Sequence, residues 1–353
     1  MNLKERLNRI FSGLDIDIAM IANSEFIDPN FHYLTGFTNG VFESNILLAT
    51  KKEVKLLTSD LEYATAMLQK KEGMEILNAF SSKEKLEEEI SAIKGKRIGI
   101  NGRFLSYSGY QFIKKYKPKS IIDISDALTK ARMIKDAEEI KNIRKAVSIT
   151  KFAILEAQKS LKEGITELEL AARVDYAMKL FGASGNSFDT IVAFGENTAY
   201  PHHMPDSTKL TYGDLVLIDA GAKFNNYCAD ITRTIVFGEK DKKFEDMFKL
   251  VKSAQLMAIR RLKPGADSYK INKEVRNYID NYANGKYKGK FIHALGHGIG
   301  LEVHDHPMFD KSPSRIVKKG MTMAVEPGVY VEGLGGVRIE DDVFVDKDGP
   351  IVL

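Results

Sequence analysis

One pattern occurs twice in this chain, and each time it ends an apolar strand segment on a carboxylate. Gly213-Asp-Leu-Val-Leu-Ile-Asp219-Ala-Gly221 and Gly320-Met-Thr-Met-Ala-Val-Glu326-Pro-Gly328 both read glycine, five mostly apolar residues, an acid, one residue, glycine. A weaker pair lies upstream of each. Lys162-Glu163-Gly164, followed by the capping pair Thr166/Glu169 and a helical pattern, is echoed by Lys263-Pro264-Gly265 and a helix opening near Asp267. The offsets, 107 and 101 residues, are nearly the same. This spacing predicts two related α+β halves facing one another across a pseudo-two-fold axis.

The acids themselves are out of place. Asp219 ends the run Leu215–Ile218, Asp230 opens the strand pattern through Val236, Glu326 follows Met321–Val325, and Glu340 closes Val337-Arg338-Ile339. A lone carboxylate in such a setting costs several kcal/mol in desolvation unless it is paired or binds metal. Arg233 and Arg338 are candidate partners. Four acids converging without cations would repel one another and stay partly protonated. Two divalent ions would offset that charge. Oxygen-rich ligation without thiolates suits Mn²⁺ or Co²⁺, with Zn²⁺ as an alternative.

Six of the seven histidines fall between positions 202 and 306. His297 sits in Gly296-His297-Gly298-Ile-Gly300, where little side-chain bulk obstructs approach to it, and His304 follows seven residues later. His202 lies in the proline-bounded loop Tyr200-Pro-His-His-Met-Pro205 ahead of the first acid-bearing strand. His203, His293, His306 and His32 read as ordinary histidines. Cys228 reads as a small buried hydrophobe, and Gly333-Leu-Gly335-Gly336 as a turn between strands.

The rest of the chain sets boundaries on function. At 353 residues two domains are expected. Residues 1–128 alternate strands (Ile16–Ala22, Ser44–Ala49, Val54–Thr58, Arg97–Ile100) with helices (Leu61–Lys70, Lys83–Ile93), a small α/β domain. Lys130–Lys135 reads as a linker, and a charged helix opens at Asp136 with Glu139 completing a capping box. The net charge of +4 gives no reason to expect nucleic acid or an anionic membrane as partner. A single cysteine, no signal-like N-terminus and no apolar run of membrane length point to a cytoplasmic protein.

The segments Leu217-Ile-Asp219-Ala-Gly, Asp230-Ile-Thr-Arg-Thr234, Gly296-His297-Gly-Ile-Gly300, Val325-Glu326-Pro-Gly328 and Arg338-Ile-Glu340-Asp341 together resemble the pita-bread metallopeptidases. Within them the chain looks like the branch of Xaa-Pro dipeptidases (prolidases) and Xaa-Pro aminopeptidases. Asp28-Pro-Asn-Phe-His-Tyr-Leu-Thr-Gly36 and Arg132–Ile140 carry the likeness into the N-terminal half. The resemblance implies a creatinase-like N-terminal domain (1–128) that builds a homodimer and closes the site, followed by a pita-bread catalytic domain (129–353). It implies Asp219, Asp230, His297, Glu326 and Glu340 as ligands of two metal ions, with Glu340 bridging. It also implies a metal-bridging hydroxide as nucleophile, Glu326 as proton shuttle, His304 as oxyanion stabiliser and His202 as a second catalytic histidine. Arg338 and Thr232 would bind substrate or support the ligands, and strand alternation would put Arg338 on the face of Glu340.

The expected substrate is an Xaa-Pro dipeptide, with Xaa-Pro aminopeptidase action on longer peptides as the alternative. A non-catalytic pita-bread module and a metal-free creatine hydrolase are disfavoured by the complete ligand set. A methionine aminopeptidase is disfavoured by the N-terminal domain.

Overall fold

Short apolar runs separated by amphipathic helices occupy the first third of the chain, and they assemble one six-stranded mixed sheet. The computed structural model describes residues 2–239, 242–311 and 315–353, and the chain divides into two compact units, Met1–Arg132 and Met133–Leu353. In the first unit the strand order is Met74–Leu77, Val54–Leu57, Ile46–Ala49, Ile18–Ala22, Arg97–Ile100, Ser120–Asp123. Ile46–Ala49 pairs antiparallel with both its neighbours, and the other three pairings are parallel. The two outermost strands escape a sequence reading because neither is a continuous apolar run: Glu75 interrupts one, and Ser120 and Asp123 bound the other. The segment from Asp28 is a helix, Pro29–Thr35. Asp28 caps it through the Asn30 amide, proline fills the first turn, and Gly36 closes it at φ 61°.

The expected linker at Lys130–Lys135 begins inside a helix, Ser125–Met133. The next helix, Ala137–Gln158, opens on the expected capping box. The Asp136 side chain accepts from the Glu138 and Glu139 amides, and Glu139 reaches back to the Asp136 amide.

The second unit carries the repeat into three dimensions, and its α+β class is the one expected. Helices of 22 and 14 residues, Ala137–Gln158 and Glu167–Leu180, precede the first acid-bearing strand. Helices of 20 and 14 residues, Lys242–Arg261 and Ser268–Asn281, precede the second. The matching turn glycines take matching left-handed conformations, Gly164 and Gly265 at φ 84° and 91°, Gly213 and Gly320 at 95° and 90°. Even two isolated bridges correspond, Thr166 with Lys209 and Asp267 with Ile316.

Behind the second half lies an extended apolar cluster. Met247, Leu250, Val251, Ala254 and Ala258 form one stripe of the longer helix, and Ile271, Val275 and Ile279 recur every four residues on the shorter one. They pack on Met321, Met323 and Val325, which alternate along their strand and so share a face. Each buried Leu, Ile, Val or Met among them contributes about 1.5–3 kcal/mol. The helix layer therefore holds rigid the strand that ends at Glu326.

Candidate metal centre

Asp219 lies inside a strand, and the other three acids stand where a strand begins, ends or breaks. Asp219 is the fifth residue of Leu215–Ala220, the central strand of a three-stranded sheet, with Ile191 directly beside it on one side and Thr232 on the other. Asp230 immediately precedes Ile231–Val236. Glu326 follows Thr322–Val325, its amide donating to Leu295 O at 2.9 Å. Glu340 lies in the break between Gly335–Arg338 and Asp341–Asp346 rather than inside a strand. Its amide donates to Thr232 O at 3.2 Å, which ties that break to the first half.

These elements bring the predicted residues to one place. Ligand atoms of Asp230, His297 and Glu340 lie within 4.8 Å of one another. His297 Nε2 is 3.5 Å from Asp230 Oδ2 and 3.6 Å from Glu326 Oε1. Its Nδ1 is 3.0 Å from the carbonyl of Gly298. A carbonyl only accepts, so Nδ1 carries the proton and Nε2 turns its lone pair toward the acids. The glycines around His297 have a different task from the one expected. A Cβ on Gly296 would sit 2.1 Å from Ala324 O, and one on Gly298 2.4 Å from the His306 carbonyl. They let strands approach, and access to His297 is incidental.

Arg338 organises the other side. It is buried, donates to Asp219 Oδ2 at 2.6 Å through Nη2 and to Tyr330 Oη at 2.9 Å through Nη1. Its Nε donates to Thr232 Oγ1 at 3.1 Å, and that hydroxyl donates to Glu340 Oε2 at 2.6 Å. The strand ends at Arg338, so alternation is not what joins it to Glu340; both converge on Thr232. Arg233, the other candidate partner, binds Asp341 Oδ1 at 2.6 Å and the Glu340 carbonyl instead.

Burial and mutual repulsion push the acids upward. Asp230 and Glu340 are raised far above the carboxylate range, first by burial and then by the other acids of the cluster. Glu326 is pushed up to about 8 by burial, with Arg338 opposing. Arg338 is held strongly charged because Tyr330, Asp219 and Glu326 outweigh its burial. Burial brings His297 down to about 4, so at neutral pH it is an uncharged imidazole. Asp219 Oδ1 and Glu340 Oε1 are buried with no hydrogen-bond partner. Unpartnered oxygens, crowded acids and a neutral imidazole form a donor set that a divalent cation satisfies and that protons satisfy poorly.

The cluster forms the floor of a cavity of about 500 Å³. Phe188, Ile191, Met204, Val303 and Met308 give it an apolar wall; His202, His293 and His304 line the polar side. The His304 ring meets that of His297 edge to face, centroids 4.5 Å apart. Among the described lining residues Arg338 is the only arginine or lysine.

Three residues here escaped the sequence reading. His293, read there as ordinary, lines the cavity, with Nε2 2.8 Å from Tyr330 Oη and Nδ1 3.9 Å from Glu326 Oε2. Tyr330 is fully buried on the Gly328–Val331 strand, opposite Gly336, where a Cβ would strike its ring at 2.6 Å. Asp342 accepts the Asp230 amide at 3.0 Å. The usable signal was the pair Gly335-Gly336, which does more than turn the chain: it clears room for the Tyr330 ring and the Thr198 carbonyl. Cys228 is buried and its thiol is pushed up to about 11, consistent with a packing role.

Residues 141–347 match the family model described as metallopeptidase family M24, and residues 4–134 match the creatinase/prolidase N-terminal domain. The chain belongs to metallopeptidase family M24. Among its relatives, the Xaa-Pro dipeptidase of Pyrococcus horikoshii is 36% identical over 98% of this chain and 96% of its own length. The M24 fold here superposes on the prolidase of Pyrococcus furiosus with a TM-score of 0.85, at 35% identity and covering 98% of each chain. An X-Pro aminopeptidase structure from Thermotoga maritima gives a TM-score of 0.88 at 32% identity, over 98% of this chain and 97% of that one. The chain is therefore an enzyme of an M24 type, whose members use divalent metals. No described helix is long and apolar enough to cross a membrane.

Proposed function

We propose that the protein is an Xaa-Pro dipeptidase in which Asp219, Asp230, His297, Glu326 and Glu340 hold two divalent ions, Mn²⁺ or Co²⁺ rather than Zn²⁺. The observation that carries this reading is the cluster of four acids and one neutral histidine, all buried except the part-exposed Glu326; two of the cluster's oxygens lack any partner. The full-length relatives named for Xaa-Pro dipeptide cleavage supply the substrate class. Metal ions bound there would polarise the scissile carbonyl and supply a strong nucleophile near neutral pH.

The chain's own groups do the rest. Arg338 fixes Asp219 and, through Thr232, Glu340. Glu326 faces the cavity, with Oε1 3.6 Å from His297 Nε2. It is the group placed to carry a proton to the proline nitrogen as it leaves. His304 and His202 face the same cavity from the walls and meet the oxygen on which charge develops. The apolar wall of Phe188, Ile191 and Met204 excludes water and accepts the uncharged parts of a small peptide. We further propose that the enzyme works as a cytoplasmic homodimer.

The test is hydrolysis by metal-depleted protein, before and after adding Mn²⁺ or Co²⁺, with Ala-Pro and Ala-Pro-Ala as substrates. Metal-dependent cleavage of the dipeptide is expected. Cleavage of the tripeptide alone would make the enzyme an aminopeptidase, and cleavage of neither by metal-loaded protein would overturn the peptidase assignment.

A further inference from the structure

The loop that carries His202 into the cavity hangs on one buried carboxylate outside the metal cluster. Glu167 is the first residue of the helix Glu167–Leu180, and its side chain has no exposure at all. Oε1 accepts from the Phe194 amide at 2.8 Å and from Asn197 Nδ2 at 3.0 Å. Oε2 accepts from the Asp206 amide at 3.1 Å and lies 2.7 Å from His203 Nε2, which must be the donor. The backbone around it repeats the grip: the Glu167 amide donates to Thr208 O and the Leu168 amide to Asp206 O. Both ends of the segment 194–206 are thus tied to one helix start, whose partial positive charge favours a buried carboxylate.

Glu167, His203 and Asp206 approach one another as the ligands of an ion would. Four N–H donors already surround the Glu167 oxygens, so they make a brace instead of a metal site.

What the brace holds is specific. Between its anchors lie Pro201, His202 and Met204, all lining the cavity. Outside the brace the start of the stretch is also held, since the short turn Gly195–Ala199 packs on the strand Gly335–Arg338 and buries Thr198 and Ala199. Thr198 Oγ1 accepts the Gly336 amide at 2.8 Å, and Arg338 Nη2 reaches Pro201 O at a long 3.4 Å. His203 points away from the cavity to Glu167 while its neighbour points in. We infer that Glu167 and His203 are positioning residues that fix His202 toward the substrate. This rests on the reading of His202 as a substrate-facing group.

The experiment measures kcat and KM on Ala-Pro for Mn²⁺-loaded protein, with bound metal counted for each variant. His203→Leu removes the donor and should lower kcat/KM about tenfold with metal content unchanged, while His203→Gln keeps a donor and should restore most of it. Glu167→Gln, which turns an amide toward N–H groups, should lose more. The deciding comparison repeats His203→Leu in a His202→Ala background, where it should cost nothing further. Losses that multiply there, or loss of metal in His203→Leu, would overturn the brace. A His202→Ala enzyme with unchanged kinetics would instead remove His202 from the reaction, and the brace's purpose with it.

Discussion

Stripping the metal should make this protein sensitive to pH in a direction opposite to ordinary acid denaturation. Burial raises Glu326 from 4.5 to about 8 in the metal-free cluster, a difference of about 3.5 pH units. At about 1.36 kcal/mol per unit, that acid alone carries about 5 kcal/mol of linkage. The native state binds the proton more tightly than the unfolded chain, so the stabilisation is complete below pH 4.5 and is lost as pH rises to about 8. Asp230 and Glu340 are shifted the same way.

Metal ions displace those protons, so loaded protein escapes this loss. Asp342, also raised to about 8, is present in both forms and drops out of their difference. The gap in melting temperature between Mn²⁺-loaded and chelator-treated protein should therefore widen from pH 5 to pH 8. Half of Glu326 is still protonated at pH 8, so about 3.5 of those 5 kcal/mol is lost between pH 5 and pH 8; at about 2–4 °C per kcal/mol for a unit of this size, the widening should be about 7–14 °C. Differential scanning calorimetry in matched buffers measures it. A gap that stays constant or narrows with rising pH would show that these acids are not the groups the metal neutralises.

Arg338→Met should destabilise the metal-free protein by about 3–5 kcal/mol, because Asp219 and Tyr330 lose a buried charged partner. In the loaded enzyme it should lower metal affinity or kcat/KM about 10–100-fold, read by metal titration and by kinetics. Gly296→Ala should cost more than about 4 kcal/mol in urea denaturation, since its Cβ would meet Ala324 O at 2.1 Å from a backbone at φ 148°. Gly265→Ala, equally left-handed at φ 91° but with open space around it, should cost only about 1–2 kcal/mol.

The acids were legible because an apolar strand cannot carry a carboxylate without a partner, and four such strands in one chain had to share a solution. The duplicated glycine-to-acid spacing likewise made the two halves readable before any coordinates. His293, Tyr330 and Asp342 were not legible, for a physical reason. Tyr330 reaches Arg338 only because the hairpin folds back across Gly335 and Gly336, and Asp342 meets Asp230 across 112 residues of chain. The edge strands of the first unit are hard to read because Glu75 interrupts one and Ser120 and Asp123 leave the other only two apolar residues. The helix Ser125–Met133 runs into the stretch read as a linker, where the two units divide between Arg132 and Met133, because Lys130-Ala-Arg-Met is as good a last helical turn as it is a connection.

The break in which Glu340 sits gives the protein a way to report its own completion. Asp219 and Glu340 are 121 positions apart (340 − 219), and the amide of Glu340 docks on the first half only when both halves are formed. Contacts of such sequence separation close late, after local helices and hairpins. A half-made molecule can therefore own every donor and still capture no ion. On the proposed ligand assignment, metal uptake by a refolding chain should lag the docking of its two halves.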